Sequence, residues 1–361
     1  MELELERIFD EFTRRDWERE PVEGTVRLAI VGVGGFARNR AIPAIAESEY
    51  CESTLLVTGS PDQRRLLAQT FDIGHVITYD AFLAGSHTEA YDAVYVATPN
   101  ALHGRYAAAA ADLGTGKHVI CEKPLETTPD RVQTIIDACD DAGVTLMTAY
   151  RLQTEPAVRR TRELVSAGVI GDVVQIHAGF SHPLLAATGP DTWRLDPELA
   201  GGGVLVDLGI YPLNTTRFIL GRDPTGVYAT TASNTDPVST GVDEHVTFQL
   251  EFPTDATASC TASFDAHANS WLELIGSGGV ISIRSPFGGV VPQEIVVESG
   301  DVRMEHTGPP VDEVREEFDY FGYCVLTGAT PEPDGADGLI DTRVIEAAYE
   351  SAETGCRVDL E

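Results

Sequence analysis

Two lysines stand among the 25 basic side chains of this 361-residue chain, and one of them, Lys123, lies in the run Cys121-Glu122-Lys123-Pro124-Leu125, directly after an apolar stretch with strand character. An ammonium group can sit beside a reacting oxygen and tune a neighbour's proton affinity, which sets it apart from the guanidinium used almost everywhere else in this sequence. Pro124 biases the residue before it to an extended backbone, so the Lys123 side chain is expected to point away from the strand end. Lys117, close after two glycines and just before the same strand, reads as an ordinary loop lysine. A second polar set follows Ala200-Gly201-Gly202-Gly203 in the run VLVDLGIYPLN. If a helix begins at the glycines, Asp207, Tyr211 and Asn214 fall at i, i+4 and i+7, one polar face on an otherwise apolar helix. Lysine, aspartate and tyrosine together form an acid/base set; a core tyrosine bonded to an aspartate is the competing reading.

Other runs have the chemistry of a dinucleotide site. Gly32-Val33-Gly34-Gly35-Phe36-Ala37 matches G-x-G-x-x-A between an apolar strand and a helix. Glycine permits the tight turn and a close approach to a pyrophosphate, and a small third residue lets helix and strand pack together. At the end of the second strand stand Thr58-Gly59-Ser60-Pro61, then Arg64 and Arg65, with Asp62 beyond the proline. An NAD site usually places a carboxylate at that strand end for the ribose 2′-hydroxyl. Hydroxyl and guanidinium groups, including Ser60, Arg64 and Arg65, suit a 2′-phosphate instead, so NADP is expected over NAD. Thr98-Pro99-Asn100, with His103 a helical turn later, and Glu122-Lys123 end two further strands at the carboxyl edge where such sheets bind ligands. For His103 helix packing competes with a cofactor contact.

These residues need a scaffold, and the alternation of apolar runs supplies one. TVRLAIVG, STLLVTG, AVYVATP, HVICEKP and TLMTAY read as strands, with helical patterns between them, from residue 25 to 150. That rhythm implies an α/β domain with a parallel, doubly wound sheet. From 151 to 361 the runs VVQIHAGF, EHVTFQLEF, TASCTASFDA and WLELIGSGGVISI follow in quick succession, indicating an α+β domain with a mostly antiparallel sheet. Residues 1–24 read as an acidic helical arm ended by Pro21 and Gly24. The formal charge of −32 is spread along the chain, which fits a protein working in concentrated salt, where the Debye length falls to about 3 Å. No basic face suits nucleic acid, no apolar stretch suits a membrane helix, and the N-terminus does not read as a secretory signal, so a cytoplasmic protein is expected. The six cysteines show no C-x-x-C spacing and read as buried apolar residues; no metal site is expected. His177, His182 and His267 are open between substrate contacts and ordinary strand positions.

GVGGFA, ATPNALH, GKHVICEKPL, AYR at 149–151 and above all WRLDPELAGGGVLVDLGIYPLNTTRFILG at 193–221 resemble the glucose–fructose oxidoreductase-like family of NAD(P)-dependent sugar dehydrogenases. The resemblance runs from about Val26 to the chain end. It implies a Rossmann domain, then an α+β domain whose open sheet often packs on another subunit, so a homo-oligomer, dimer or tetramer, is expected. It also implies Lys123, Asp207 and Tyr211 at the substrate, Trp193 and Arg194 at the cofactor, and Tyr150 and Arg151 bordering the cleft. Many relatives carry histidine where Tyr211 stands; tyrosine points to oxidation of a pyranose sugar by metal-free proton transfer. The expected reaction is oxidation of a cyclic aldose, D-xylose foremost, at C1 to a lactone, opening an oxidative pentose degradation. Tyr211 is then the base, Lys123 favours its phenolate, and Asp207 orients the sugar. Glucose or another aldose, an aromatic dihydrodiol, a second sugar reduced on a tightly held cofactor, and a regulator that turns nothing over are the alternatives.

Overall fold

The computed structural model describes residues 9, 12–59, 61–114, 116–234, 236, 238 and 241–360, with the backbone alone at 61–63 and 65. The chain divides into two compact units, Trp17–Arg151 with Asp312–Thr342, and Met1–Asp16 with Leu152–Val311 and Arg343–Glu361.

The first unit is built on β1 (Val26–Val31), β2 (Cys51–Val57), β3 (His75–Ile77), β4 (Ala93–Val96), β5 (His118–Glu122) and β6 (Leu146–Ala149), in the order β3-β2-β1-β4-β5-β6. Every neighbouring pair is parallel. Helices α1 (Pro61–Phe71), α2 (His103–Asp112) and α3 (Pro129–Ala142) lie between the strands in sequence. Successive residues of β1 enter opposite cores, Leu28 and Ile30 one, Ala29 and Val31 the other. That two-sided burial is why these strands read as unbroken apolar runs. Strand order reverses between β1 and β4, so the carboxyl ends there form the crevice where such sheets take ligands.

Lys117 is no ordinary loop lysine. It is 9% exposed, and its ammonium donates to the carbonyls of Thr88 at 2.8 Å and Tyr91 at 2.9 Å beside the Tyr91 ring. A compact, multi-donor head satisfies two converging carbonyls, which accounts for a second lysine in an arginine-rich chain. Five of the six cysteines are buried as expected, and burial pushes the thiols of Cys139, Cys260 and Cys324 up to about 12. Cys356 is the exception and is exposed.

In the second unit come α4 (Pro156–Ser166), β7 (Val173–Ser181), α5 (Ile210–Leu220), β8 (Gly226–Ala232), β9 (His245–Glu251), β10 (Thr257–Ser263), β11 (Asn269–Gly276), β12 (Gly279–Arg284), β13 (Glu294–Ser299) and β14 (Val302–Thr307). With β15 (Val358–Asp359) the strands form a nine-stranded sheet, β14-β13-β12-β11-β7-β10-β9-β8-β15, antiparallel except between β7 and β10. In β9 the buried residues Val246, Phe248 and Leu250 alternate with exposed Thr247, Gln249 and Glu251, so one face is packed and the other meets water. Helix α5 lies against β7 and β10.

Two segments depart from the expected boundaries. Helix α6 (Glu313–Thr327), expected in the second domain, belongs to the first unit. Its Val314, Phe318 and Phe321 join Leu28, Ile30 and Tyr95 in one core, with the Phe318 ring edge-on to Tyr95 at 5.0 Å. The expected arm is helical at Phe9, irregular or turn over 12–24, and otherwise outside the described residues. Its described part is packed on the rest of the chain: Asp16 pairs with buried Arg159, and Trp17 stacks edge-on against Tyr320 and Tyr323. The last helix, α7 (Gly335–Thr354), carries Tyr349. No described helix is long and apolar enough to cross a membrane.

Candidate active site

The first unit presents its candidate residues at the carboxyl ends of β1, β2, β4 and β5. Gly32 has φ +100°, and a Cβ there would stand 2.6 Å from the Ala97 carbonyl oxygen, so only glycine lets the turn pass this close to the end of β4. Gly34 and Gly35 are exposed, with nothing within 4 Å of where a Cβ would stand. Phe36 is half-buried, Ala37 is buried, and the helical turn that starts there has no side-chain cap on Phe36. Thr98 is 6% exposed and its Oγ1 has no hydrogen-bond partner, an orphaned polar atom beside the glycine turn. Pro99 is half-buried and Asn100 buried. Past β2, Arg64 is half-buried; Ser60 and the Arg65 side chain lie outside the described residues. Open space over glycines, a helix start and an unpaired hydroxyl fit the pyrophosphate of a dinucleotide.

Lys123 is half-buried and precedes Pro124 through a cis peptide bond. Glu122 beside it accepts the Tyr95 hydroxyl at 2.6 Å and the Lys123 backbone N–H at 3.3 Å. Tyr150 is buried, and Arg151 Nε lies 3.2 Å from Glu313 Oε1 in an ion pair of the same unit.

Of the two readings open for His103, packing or a cofactor contact, the structure supports packing. His103 is 0% exposed, its Nδ1 2.9 Å from the Pro124 carbonyl and its Nε2 2.9 Å from the Thr98 carbonyl, so the ring is a strut between the loops after β4 and β5. A neutral imidazole donates through one nitrogen only, so both carbonyls are satisfied together only in the protonated ring. Burial nevertheless has the larger influence and lowers its pKa from the ordinary 6.5. Between the two values the unfolded chain holds a proton that the folded chain does not. The contribution to stability is therefore present above pH 6.5 and lost as pH falls through the folded-state value. His103→Ala is expected to cost roughly 2–4 kcal/mol in urea unfolding near pH 7, and less near pH 5. A cost that is the same at both pH values would contradict the neutral buried ring.

In the second unit the spacing argument holds at two of its three positions. From Gly203 to Ile219 every residue is buried except Asp207 and Tyr211, which are half-buried and four apart. They sit where a wide π turn, Leu205–Gly209, runs into α5, a departure from regular helix that recurs at functional sites. Arg194 Nε donates to Asp207 Oδ2 at 3.0 Å, and its guanidinium lies 4.6 Å from the Trp193 ring centroid. Sequence reading placed Arg194 and Asp207 in different roles; the structure joins them in one ion pair. The Tyr211 ring meets Phe180 edge-on at 5.4 Å and Phe287 at 6.1 Å, fixing the phenol's direction. Asn214 is 3% exposed and its Oδ1 accepts the Gln153 amide at 3.0 Å. His177 is half-buried, while His182 and His267 are exposed.

Among the described residues, Glu244, His245 and Asp265 bring ligand-type atoms within 4.8 Å of one another. Ser263 Oγ already accepts the backbone N–H groups of Asp265 and Ala266, so its proton goes to His245 Nδ1 at 2.9 Å. The other ring nitrogen, Nε2, lies 3.7 Å from Glu244 Oε2, an ion-pair distance.

A doubly wound sheet with a glycine turn at its reversal point, and a second unit offering an aspartate and a tyrosine on one helix, are the parts of a dinucleotide-dependent oxidoreductase. Residues 26–150 match the model of an oxidoreductase family with an NAD-binding Rossmann fold, and 158–282 match the GFO/IDH/MocA C-terminal domain. The chain belongs to the GFO/IDH/MocA family. It is 40% identical over 97% of its length, and 98% of the relative's, to D-xylose 1-dehydrogenase [NADP(+)] of Haloarcula marismortui. It is 36% identical over 92% of its length, and 99% of the relative's, to D-xylose 1-dehydrogenase (NADP(+)) 2 of Haloferax volcanii. Among solved structures it is similar to aldose-aldose oxidoreductase from Caulobacter crescentus complexed with glycerol, with TM-score 0.87 and 33% identity over 93% of this chain and 100% of that one.

Proposed function

We propose that this protein oxidises a cyclic aldose, D-xylose foremost, at C1 to the lactone with NADP, the first step of an oxidative pentose degradation. The observation that carries the reading is the 40% identity to a D-xylose 1-dehydrogenase over 97% of the chain. The half-buried pair Asp207 and Tyr211 on one helix and the half-buried Lys123 support it with suitable chemistry.

NADP, when bound, supplies the acceptor for the hydride that leaves C1. Tyr211 takes the proton of the anomeric hydroxyl, so that oxygen becomes the lactone carbonyl. The Lys123 ammonium assists that transfer by stabilising the negative charge that develops on the sugar oxygen as the proton leaves. Asp207, held by Arg194, accepts hydrogen bonds from sugar hydroxyls and fixes the ring. Gly34, Gly35 and Thr98 would hold the pyrophosphate of the bound cofactor, and Arg64 its 2′-phosphate.

NADPH fluorescence in molar KCl, with D-xylose, D-glucose and L-arabinose each offered with NADP and with NAD, tests the reading. Preference for D-xylose with NADP supports it; no reduction by any aldose, in folded protein that binds NADPH, returns the chain to a regulator or a non-sugar substrate. Arg64→Ala is expected to raise the KM for NADP about 10- to 100-fold and leave that for NAD within about twofold, the loss of one charge-assisted contact. An equal change for both cofactors removes Arg64 from the 2′-phosphate.

The likeness to an aldose-aldose oxidoreductase favours a second reading, in which one aldose is oxidised and another reduced on a cofactor that stays bound. Purified protein that carries NADP(H) and interconverts two aldoses without added cofactor supports that reading; strict dependence on added NADP supports the dehydrogenase.

A further inference from the structure

Three glycines in succession, Gly201 to Gly203, precede the helix that carries Asp207 and Tyr211, and the structure gives a cause for the last two. Gly202 has φ +153°, and a Cβ there would collide with the Tyr349 hydroxyl. A Cβ on Gly203 would collide with the backbone of Asp243. The glycines thus bring the start of the helix against Asp243, a residue 8% exposed and 40 positions along the chain.

The Asp243 carboxylate receives three hydrogen bonds. Gly203 N–H donates to Oδ1 at 2.7 Å, Leu205 N–H to Oδ2 at 2.8 Å, and the Tyr349 hydroxyl to Oδ1 at 2.7 Å. The Asp243 backbone carbonyl accepts Val204 N–H at 2.9 Å. One aspartate therefore satisfies three consecutive N–H groups of the helix start, a task that otherwise falls to a local cap, and its charge matches the positive end of the helix dipole. The N-cap residue itself, Val204, makes no side-chain capping hydrogen bond. The chain of contacts continues to the site: the Gly203 carbonyl accepts the Asp207 N–H at 3.0 Å. Burial and the adjacent Asp243 charge hold the Tyr349 hydroxyl protonated and donating, its pKa well above the ordinary tyrosine value.

We propose that Asp243, clamped by Tyr349, is a positioning residue that sets the first turn of the helix and thereby the placement of Asp207 and Tyr211. It acts through the helix start that it caps. The proposal rests on the roles given above to Asp207 and Tyr211. Displacement of a reacting group by about 1 Å is enough to cost two orders of magnitude in rate, so a cap one turn before Asp207 is well placed to matter.

Asp243→Asn keeps the volume and one acceptor oxygen but turns an NH2 toward a backbone N–H. It is expected to lower kcat for D-xylose with NADP about 10- to 100-fold, with the Kd for NADPH within about twofold of the parent. Amide hydrogen exchange at 203–207 is expected to quicken by about tenfold or more, with β1 and β4 unaffected. Tyr349→Phe, which leaves the carboxylate in place, is expected to lower kcat about 3- to 10-fold. The exchange measurement needs no turnover, so it separates this proposal from the proposed reaction: fast exchange at 203–207 in a protein that oxidises no aldose preserves the cap and sinks the reaction. A kcat within about twofold of the parent in folded Asp243→Asn, or a loss of rate with unchanged exchange at 203–207, overturns the proposal. If Asp243→Asn does not fold, Tyr349→Phe decides, and parental kcat and exchange in that variant overturn it.

Discussion

Lys123→Met is expected to lower kcat for D-xylose oxidation about 100- to 1,000-fold while NADPH still binds within about threefold of the parent Kd. Methionine matches lysine in length and fills the same half-buried position, so what is removed is the charge. On either side of the position, the Tyr95 hydroxyl donating to Glu122 and the His103 ring at the Pro124 carbonyl are contacts that the substitution leaves in place. In the proposed reaction that charge stabilises the oxygen from which the proton departs. The effect is stronger in the transition state than in the bound ground state, so the loss should fall on kcat more than on KM. Lys123→Arg is expected to recover little, because a planar guanidinium cannot place a compact charge at one oxygen. Near-parental turnover of Lys123→Met would remove lysine from the chemistry and leave the chain's sparing use of it unexplained at this position.

What the sequence disclosed and what it hid follow from how far each interaction reaches. The strands and glycine turn of the first unit were legible because two-sided burial makes unbroken apolar runs and because Gly32 faces a steric demand from the next strand end. Asp207 and Tyr211 were legible because two polar residues four apart stand out on a buried helix. The π turn beneath them was not, since nothing in residue type distinguishes a turn of five from a turn of four. Contacts across long stretches of chain left no local trace: Lys117 reaching Thr88 and Tyr91, α6 filling the face of the first sheet, and Asp243 capping a helix 40 residues earlier. His103 stayed open between two readings because a histidine near a strand end has the same signature whether it touches a ligand or braces two loops. The triple glycine at 201–203 was a visible signal of close approach, but its partners, Asp243 and Tyr349, become visible only in three dimensions.

Tyr211→Phe separates the base from the scaffold more cleanly than any other change in the second unit. The ring keeps its edge-on contact with Phe180 and its packing on Phe287, so the helix should stay where it is and stability should move by less than about 1 kcal/mol. Only the hydroxyl goes, and with it the acceptor for the anomeric proton. The expected result is a fall in kcat of about 100- to 10,000-fold at unchanged NADPH affinity. Combining it with Lys123→Met makes the test sharper. If the lysine works mainly by assisting proton transfer to the tyrosine, the two losses are not additive, and the double variant should be only a few-fold slower than the worse single one. Full additivity would mean that Lys123 acts on the sugar oxygen independently of Tyr211. Retention of parental turnover in Tyr211→Phe would move the proton elsewhere, with Asp207, the other half-buried polar group of the same helix, the first residue to replace.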